Sequence, residues 1–274
     1  MWSFSRKREK GVLPRQVGAG HPAAHESRRF PPMIVPADGD FRLDREADTA
    51  RLGAAVAGEL RAHEAICLSG PLGAGLFLDS GTAKLTGVSI TSNKSDSAGG
   101  GLYVGAVSVG VTITGGSVTN NSSVGVGGGI DFLGTGTLAI SKTIISGNNS
   151  AAAGGGLYVA GGGLTLGSVH VSNNSAIGDG GGLAIAGSTP FTITTGSFTG
   201  NGSDSRGGGI DISGSATGSI DTPAVVITDN FAAGYGGGVT NGSSGTVTMK
   251  TSSVTGNVGG SDVFIKTDVY GPFA

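Results

Sequence analysis

Apolar residues along the chain fall into short alternating runs, and the runs return about every 27 residues. The clearest phase marker is an asparagine at Asn93, Asn121, Asn148, Asn174, Asn201, Asn230 and Asn257. Three residues before each stand Ile90, Val118, Ile145, Val171, Phe198, Ile227 and Val254. Eight before stand Leu85, Ile113, Ile140, Leu166, Ile193, Thr222 and Met249, and ten before stand Ala83, Val111, Leu138, Leu164, Phe191, Ile220 and Val247. A glycine triplet starts at Gly99, Gly127, Gly154, Gly180, Gly207 and Gly236, always six residues after an asparagine. Three residues after each triplet start come Leu102, Ile130, Leu157, Leu183, Ile210 and Val239. Five after come Val104, Phe132, Val159, Ile185, Ile212 and then Asn241, which breaks the row. A spacing of two marks a strand with one face inward. The pattern predicts an all-β chain: a right-handed parallel β-helix with three strands per coil and about seven coils.

A repeat this short cannot bury its apolar face alone, so equivalent residues of successive coils must stack into one core. Each coil then rises by the strand spacing of ~4.8 Å, and seven coils stand about 34 Å tall. Glycine supplies left-handed or cramped backbone at the corners. Asparagine tolerates such angles, and a stack of seven can hydrogen-bond from coil to coil as a structural ladder. Solenoid ends expose strand edges and core, and Val263, Phe264, Ile265, Val269, Tyr270 and Phe273 are expected to cover the C-terminal end.

Composition divides the chain. All five glutamates lie in the first 64 residues and eleven of the 17 basic residues lie before residue 62, whereas the remainder is largely Gly, Ser, Thr, Asn and aliphatic. Residues 1–40 show no periodicity and read as a disordered tail. Asp44 is placed to cap a helix over about 45–61 carrying Leu52, Val56 and Leu60 on one face, and Ala65 to Ser69 reads as a buried strand. The division is therefore a tail at 1–40, an α/β-like appendage at 41–72, and the β-helix at 73–274. A net charge of -2 gives no reason to expect a nucleic-acid partner. A single cysteine, Cys67, rules out a disulfide framework or a cysteine metal site within the chain. No run approaches the ~18 apolar residues of a membrane span. The basic N-terminus has no apolar stretch behind it, so a secretory signal is not expected in this chain.

The Gly-Gly-Gly-Leu/Ile segments, such as Gly154 to Val159, combine with Val-Ser-Asn-Asn segments, such as Val171 to Asn174. In these motifs the chain from about residue 73 to the end resembles the polymorphic outer-membrane-protein repeats and related autotransporter-like β-helices of bacteria. The resemblance implies a secreted or surface-attached protein, many of that family being adhesins, and a glycan or surface protein as partner. Without a leader, the chain as written would stay in the cytoplasm.

The segment Leu68-Ser69-Gly70-Pro71-Leu72-Gly73-Ala74-Gly75, with the Asp44 to Leu60 helix pattern, is similar to the start of the ATPases that assist tRNA threonylcarbamoyladenosine synthesis (TsaE-type). That resemblance implies a phosphate-binding loop at Gly70, Gly73 and Gly75. The lysine and hydroxyl that such a loop needs are here Leu76 and Phe77, so the remnant is expected to bind no nucleotide. Gly73 to Leu78 also reads as a triplet motif, 26 residues before Gly99. The overlap suggests a chimera, or an assembly or gene-model artefact, joined at a shared glycine-rich stretch.

Candidate chemistry on the coils is sparse. They hold ten aspartates, no glutamate and one arginine. Asp131 and Asp211 take equivalent outward positions three coils apart, about 14 Å by strand spacing, too far for paired-carboxylate catalysis. They read as solvated surface residues. Asp179 and Arg206 each precede a triplet in adjacent coils and should form an exposed ion pair worth ~0–1 kcal/mol, with a substrate contact as the sharper alternative. His170 should face outward, and the Asn-x-Ser sequons at Asn121 and Asn201 arise from the repeat itself. No catalytic residue, cofactor or metal site is expected. The sequence thus favours a non-enzymatic, adhesin-like surface scaffold. A carbohydrate-active β-helix enzyme is the alternative, and a tRNA-modification ATPase subunit a third reading. Oligomeric state is not encoded legibly.

Overall fold

The computed structural model describes residues 3–6, 66–70, 74–220, 225–249, 253–259 and 263–265. The helix expected over 45–61, most of the 1–40 tail, and Val269, Tyr270 and Phe273 lie outside the described residues. The described chain is all-β: parallel strands wind into a solenoid, and the seven ladder asparagines mark about six full turns rather than seven coils. Among the described residues no helix is long and apolar enough to cross a membrane.

One turn shows the plan. Ile130–Phe132, Thr137–Ser141, Ile144–Ser146 and Asn149–Ser150 follow one another as first, second, third and fourth strands. In the first two turns the first and second strands fuse into Leu76–Thr86 and Leu102–Thr114. First and second strands belong to a 13-stranded sheet, and third and fourth strands to a 14-stranded one. The expected three strands per coil become four. The fourth has two residues, and its inward position is Ser95, Ser123, Ser150, Ala176, Ser203 or Ala232, all buried. These small residues carry little apolar signal, yet they are buried.

Equivalent residues lie over one another. Ile90 pairs with Val118, Val118 with Ile145, Ile145 with Val171, Val171 with Phe198, Phe198 with Ile227, and Ile227 with Val254. Similar columns run through Val111, Leu138, Leu164 and Phe191, and through Leu102, Ile130, Leu157, Leu183, Ile210 and Val239. These side chains form one continuous core, most of them fully buried. Both ends gain a rung. Ile66–Gly70 pairs in parallel beneath Ser89–Ser95, placing Leu68 against Ile90, and Ser3–Arg6 adds antiparallel to it. Val263–Ile265 stacks on Val239–Asn241 at the other end.

The glycine triplets are steric requirements. Gly154 has φ +70°, and a Cβ there would lie 2.7 Å from the Tyr158 Cβ. A Cβ on Gly155 would lie 2.3 Å from the Ser175 carbonyl oxygen and 2.4 Å from that of Gly181. On Gly156 it would press on the Asn174 amide at 3.0 Å. The triplet is therefore the line along which one turn's backbone rests on the next. Gly155→Ala should cost about 1–3 kcal/mol, because the clash is with backbone that cannot rotate away; urea denaturation of the variant measures it.

Candidate functional site

Two polar features run the length of the solenoid, and a third is local. The first is internal. The backbone N–H and the Nδ2 of Asn121 donate to Asn148 Oδ1, both at 3.0 Å, and Nδ2 also donates to the Ile90 carbonyl at 3.0 Å. The same set recurs at Asn148, Asn174, Asn201 and Asn230. Asn93 donates to Asn121 in the same way, and Asn257 closes the ladder by donating to the Ile227 carbonyl. All but Asn257 are buried. An asparagine fits because it accepts twice and donates twice along one axis. Its chemistry is structural, since no ligand can reach it.

The second feature is external. On the outer face of the third strands, two residues before each ladder asparagine, Thr91, Thr119, Ser146, Ser172, Thr199, Thr228 and Thr255 stack in register. They are half-buried to exposed, and the Thr119 hydroxyl donates to Thr91 Oγ1 at 3.2 Å. The column beside it is mixed: Ser89, Ser117, Ile144, His170, Ser197 and Val226. His170 is exposed there, 3.0 Å from the Ser197 hydroxyl.

The local feature is an acid–base cluster on the corner ridge. Asp179 Oδ2 meets Arg206 Nη2 at 3.0 Å, and both side chains are partly exposed. Asp211 joins them, its Oδ1 lying 3.2 Å from Arg206 Nε. That distance is an ionic contact without hydrogen-bond alignment. Sequence reasoning missed this second carboxylate by placing Asp211 in solvent.

Asp131 and Asp211 are instead buried, at 1 % and 2 % exposure. Both do point away from the core, as strand alternation requires. The triplet backbone then folds back over them: a Cβ on Gly207 would lie 2.7 Å from the Asp211 Cβ. Burial pushes both carboxyls up to about 7; for Asp211 the Arg206 charge lowers it and Asp179 raises it. Among the described residues Asp131 has no arginine partner, and neither of its oxygens has a hydrogen-bond partner. Its register neighbours are Tyr103 and Tyr158. The Tyr158 hydroxyl is raised by its own burial and by Asp131. Tyr103 stacks on Phe77 with ring centroids 5.0 Å apart. The register places Asp131 and Asp211 three turns apart, with Tyr158 and Ala184 between them.

The loop remnant can be followed only in part, because Gly73 lies outside the described residues. Gly70 ends a strand, and Gly75 donates its N–H to the Gly100 carbonyl at 3.1 Å. The chain then enters the strand Leu76–Thr86, with Leu76 buried in the core. A phosphate loop needs a helix N-terminus at this point, and a strand provides none. Among the described residues, no three His, Cys, Asp or Glu side chains converge as a metal set would. Comparison with family models, curated proteins and solved structures returned no match.

Proposed function

We propose that the chain is a non-enzymatic, adhesin-like scaffold, acting outside the cell or at its surface by presenting a regular polar face to glycans or surface proteins. The observation that carries this reading is the hydroxyl column from Thr91 to Thr255. It repeats one donor-and-acceptor group per turn, ~4.8 Å apart, on a rigid sheet. Such a face suits many weak contacts with a repeating polymer, where summed contacts rather than one pocket give affinity.

The enzymatic alternative draws support from Asp211, since a carboxyl at about 7 is in the range a general acid needs. It lies behind Arg206, however, and among the described residues the acid at the equivalent repeat position, Asp131, is three turns away. The scaffold reading is therefore preferred. Screening the full chain on arrayed glycans and intact cell surfaces tests it. Saturable binding that Thr119→Lys and Thr199→Lys both abolish is expected; an array and cell panel with no binding at all would refute it.

A further inference from the structure

The ridge residue just before each triplet is Ala98, Val126 and Ala153 in the early turns, then Asp179, Arg206 and Tyr235 in three consecutive later ones. Where the large residues begin, the surface opens into a groove of about 660 Å³ lined by Asp179, Asp204, Arg206, Ala233 and Tyr235. We infer that this groove is a binding site for a neutral pyranose unit of a glycan. Tyr235 is the stacking platform, and Arg206, Asp204 and Asp179 are the partners of the sugar hydroxyls. The inference rests on the scaffold reading and assigns it a second, local contact.

The chemistry is complementary group by group. A pyranose offers one apolar C–H face and a rim of hydroxyls that both donate and accept. Tyr235 is 58 % exposed and lines the groove. Carboxylates only accept and guanidinium only donates, so together they grip adjacent hydroxyls in one orientation. Arg206 is held in place beforehand. Its Nε and Nη2 face Asp211 and Asp179, while Nη1 is engaged by neither. A guanidinium fixed in this way loses little freedom when a ligand arrives. Two carboxylates, Asp179 and Asp204, against one arginine also give the groove an anionic surplus, which selects against sulfated, sialylated or phosphorylated sugars. The volume lies within the range of small-ligand clefts.

The test is calorimetric titration of the full chain with cello-, manno- and galacto-oligosaccharides, and with sialyllactose as the acidic comparator. At least one neutral oligosaccharide should bind more tightly than sialyllactose. Tyr235→Ala and Asp204→Asn should each weaken it roughly ten-fold, while Tyr235→Phe stays within about two-fold. Both positions are exposed, and unchanged urea midpoints confirm that the three variants fold. Binding that survives Tyr235→Ala and Asp204→Asn but is lost in Thr199→Lys overturns the groove and leaves the scaffold reading standing. Failure of the full chain to bind any neutral oligosaccharide also overturns the groove, while the array and cell screen still decides the scaffold reading.

Discussion

Asn174→Ala is expected to lower the unfolding free energy by roughly 3–6 kcal/mol. Asn174 Oδ1 accepts from the backbone N–H of Asn148 at 3.0 Å and from its Nδ2 at 2.9 Å. Its Nδ2 donates to Asn201 Oδ1 and to the Ile145 carbonyl, both at 2.9 Å. Truncation orphans groups on both neighbouring turns at a site 1 % exposed, each costing about 1–3 kcal/mol. Repeat proteins gain their stability from nearest-neighbour interfaces, so a broken rung mid-stack weakens the coupling between two halves. Asn257→Ala, at the partly buried end of the ladder, should cost much less because water replaces the lost bonds. Equilibrium urea denaturation of the two variants separates them. Equal, small losses would mean that the ladder accompanies the fold without holding it.

The second large effect is on pH dependence. Asp131 titrates near 7 in the folded chain against about 3.9 when unfolded. A raised carboxyl means that the native state holds a proton the unfolded state has released. Its stabilising share is complete below about pH 4, falls as pH rises by up to ~1.4 kcal/mol per unit, and is gone above about 7. Asp211 acts in the same direction, so the protein should be more stable at pH 5 than at pH 8. Asp131→Asn removes one of the two contributions: the variant should match the parent only near pH 4 and below, exceed it by roughly 1.5 kcal/mol at pH 5 and by about 4 kcal/mol at pH 8. Urea midpoints at both pH values measure the difference. A parent that gains stability from pH 5 to pH 8 would show that these carboxyls are solvated after all.

The contrast between these two sites explains what the sequence revealed. The columns through Ile90 and Val118 were legible because branched apolar residues at fixed phase have one physical use, a shared interior. The asparagines were legible because they keep the same phase. The fourth strands were not, since Ser123, Ser150 and Ala176 give no hydrophobic signal and their burial comes from turn geometry. Nor was the burial of Asp131 and Asp211. Alternation correctly turned them away from the core, but period alone does not show that a later fold of backbone covers the outside. A signal existed nonetheless. Across several triplets, residues five apart pair a larger side chain with a smaller one: Ala98 with Tyr103, Ala153 with Tyr158, Asp179 with Ala184, Tyr235 with Thr240. Arg206 with Asp211 is the one pair of opposite charges at that spacing, and their contact follows from it. Function was less legible than fold, because a solenoid's surface is free to vary once its columns and corners are satisfied.

The central claim is that successive turns lie in register, so distance along the molecule counts turns and not residues. Spin labels at Thr91 paired in separate variants with Thr199, Thr228 and Thr255 are four, five and six turns apart in the hydroxyl column. Pulsed dipolar distances should rise on a straight line by ~4.8 Å per turn, reaching about 29 Å for the last pair. Distances that scatter, or that fail to grow from one pair to the next, would contradict the stacked solenoid.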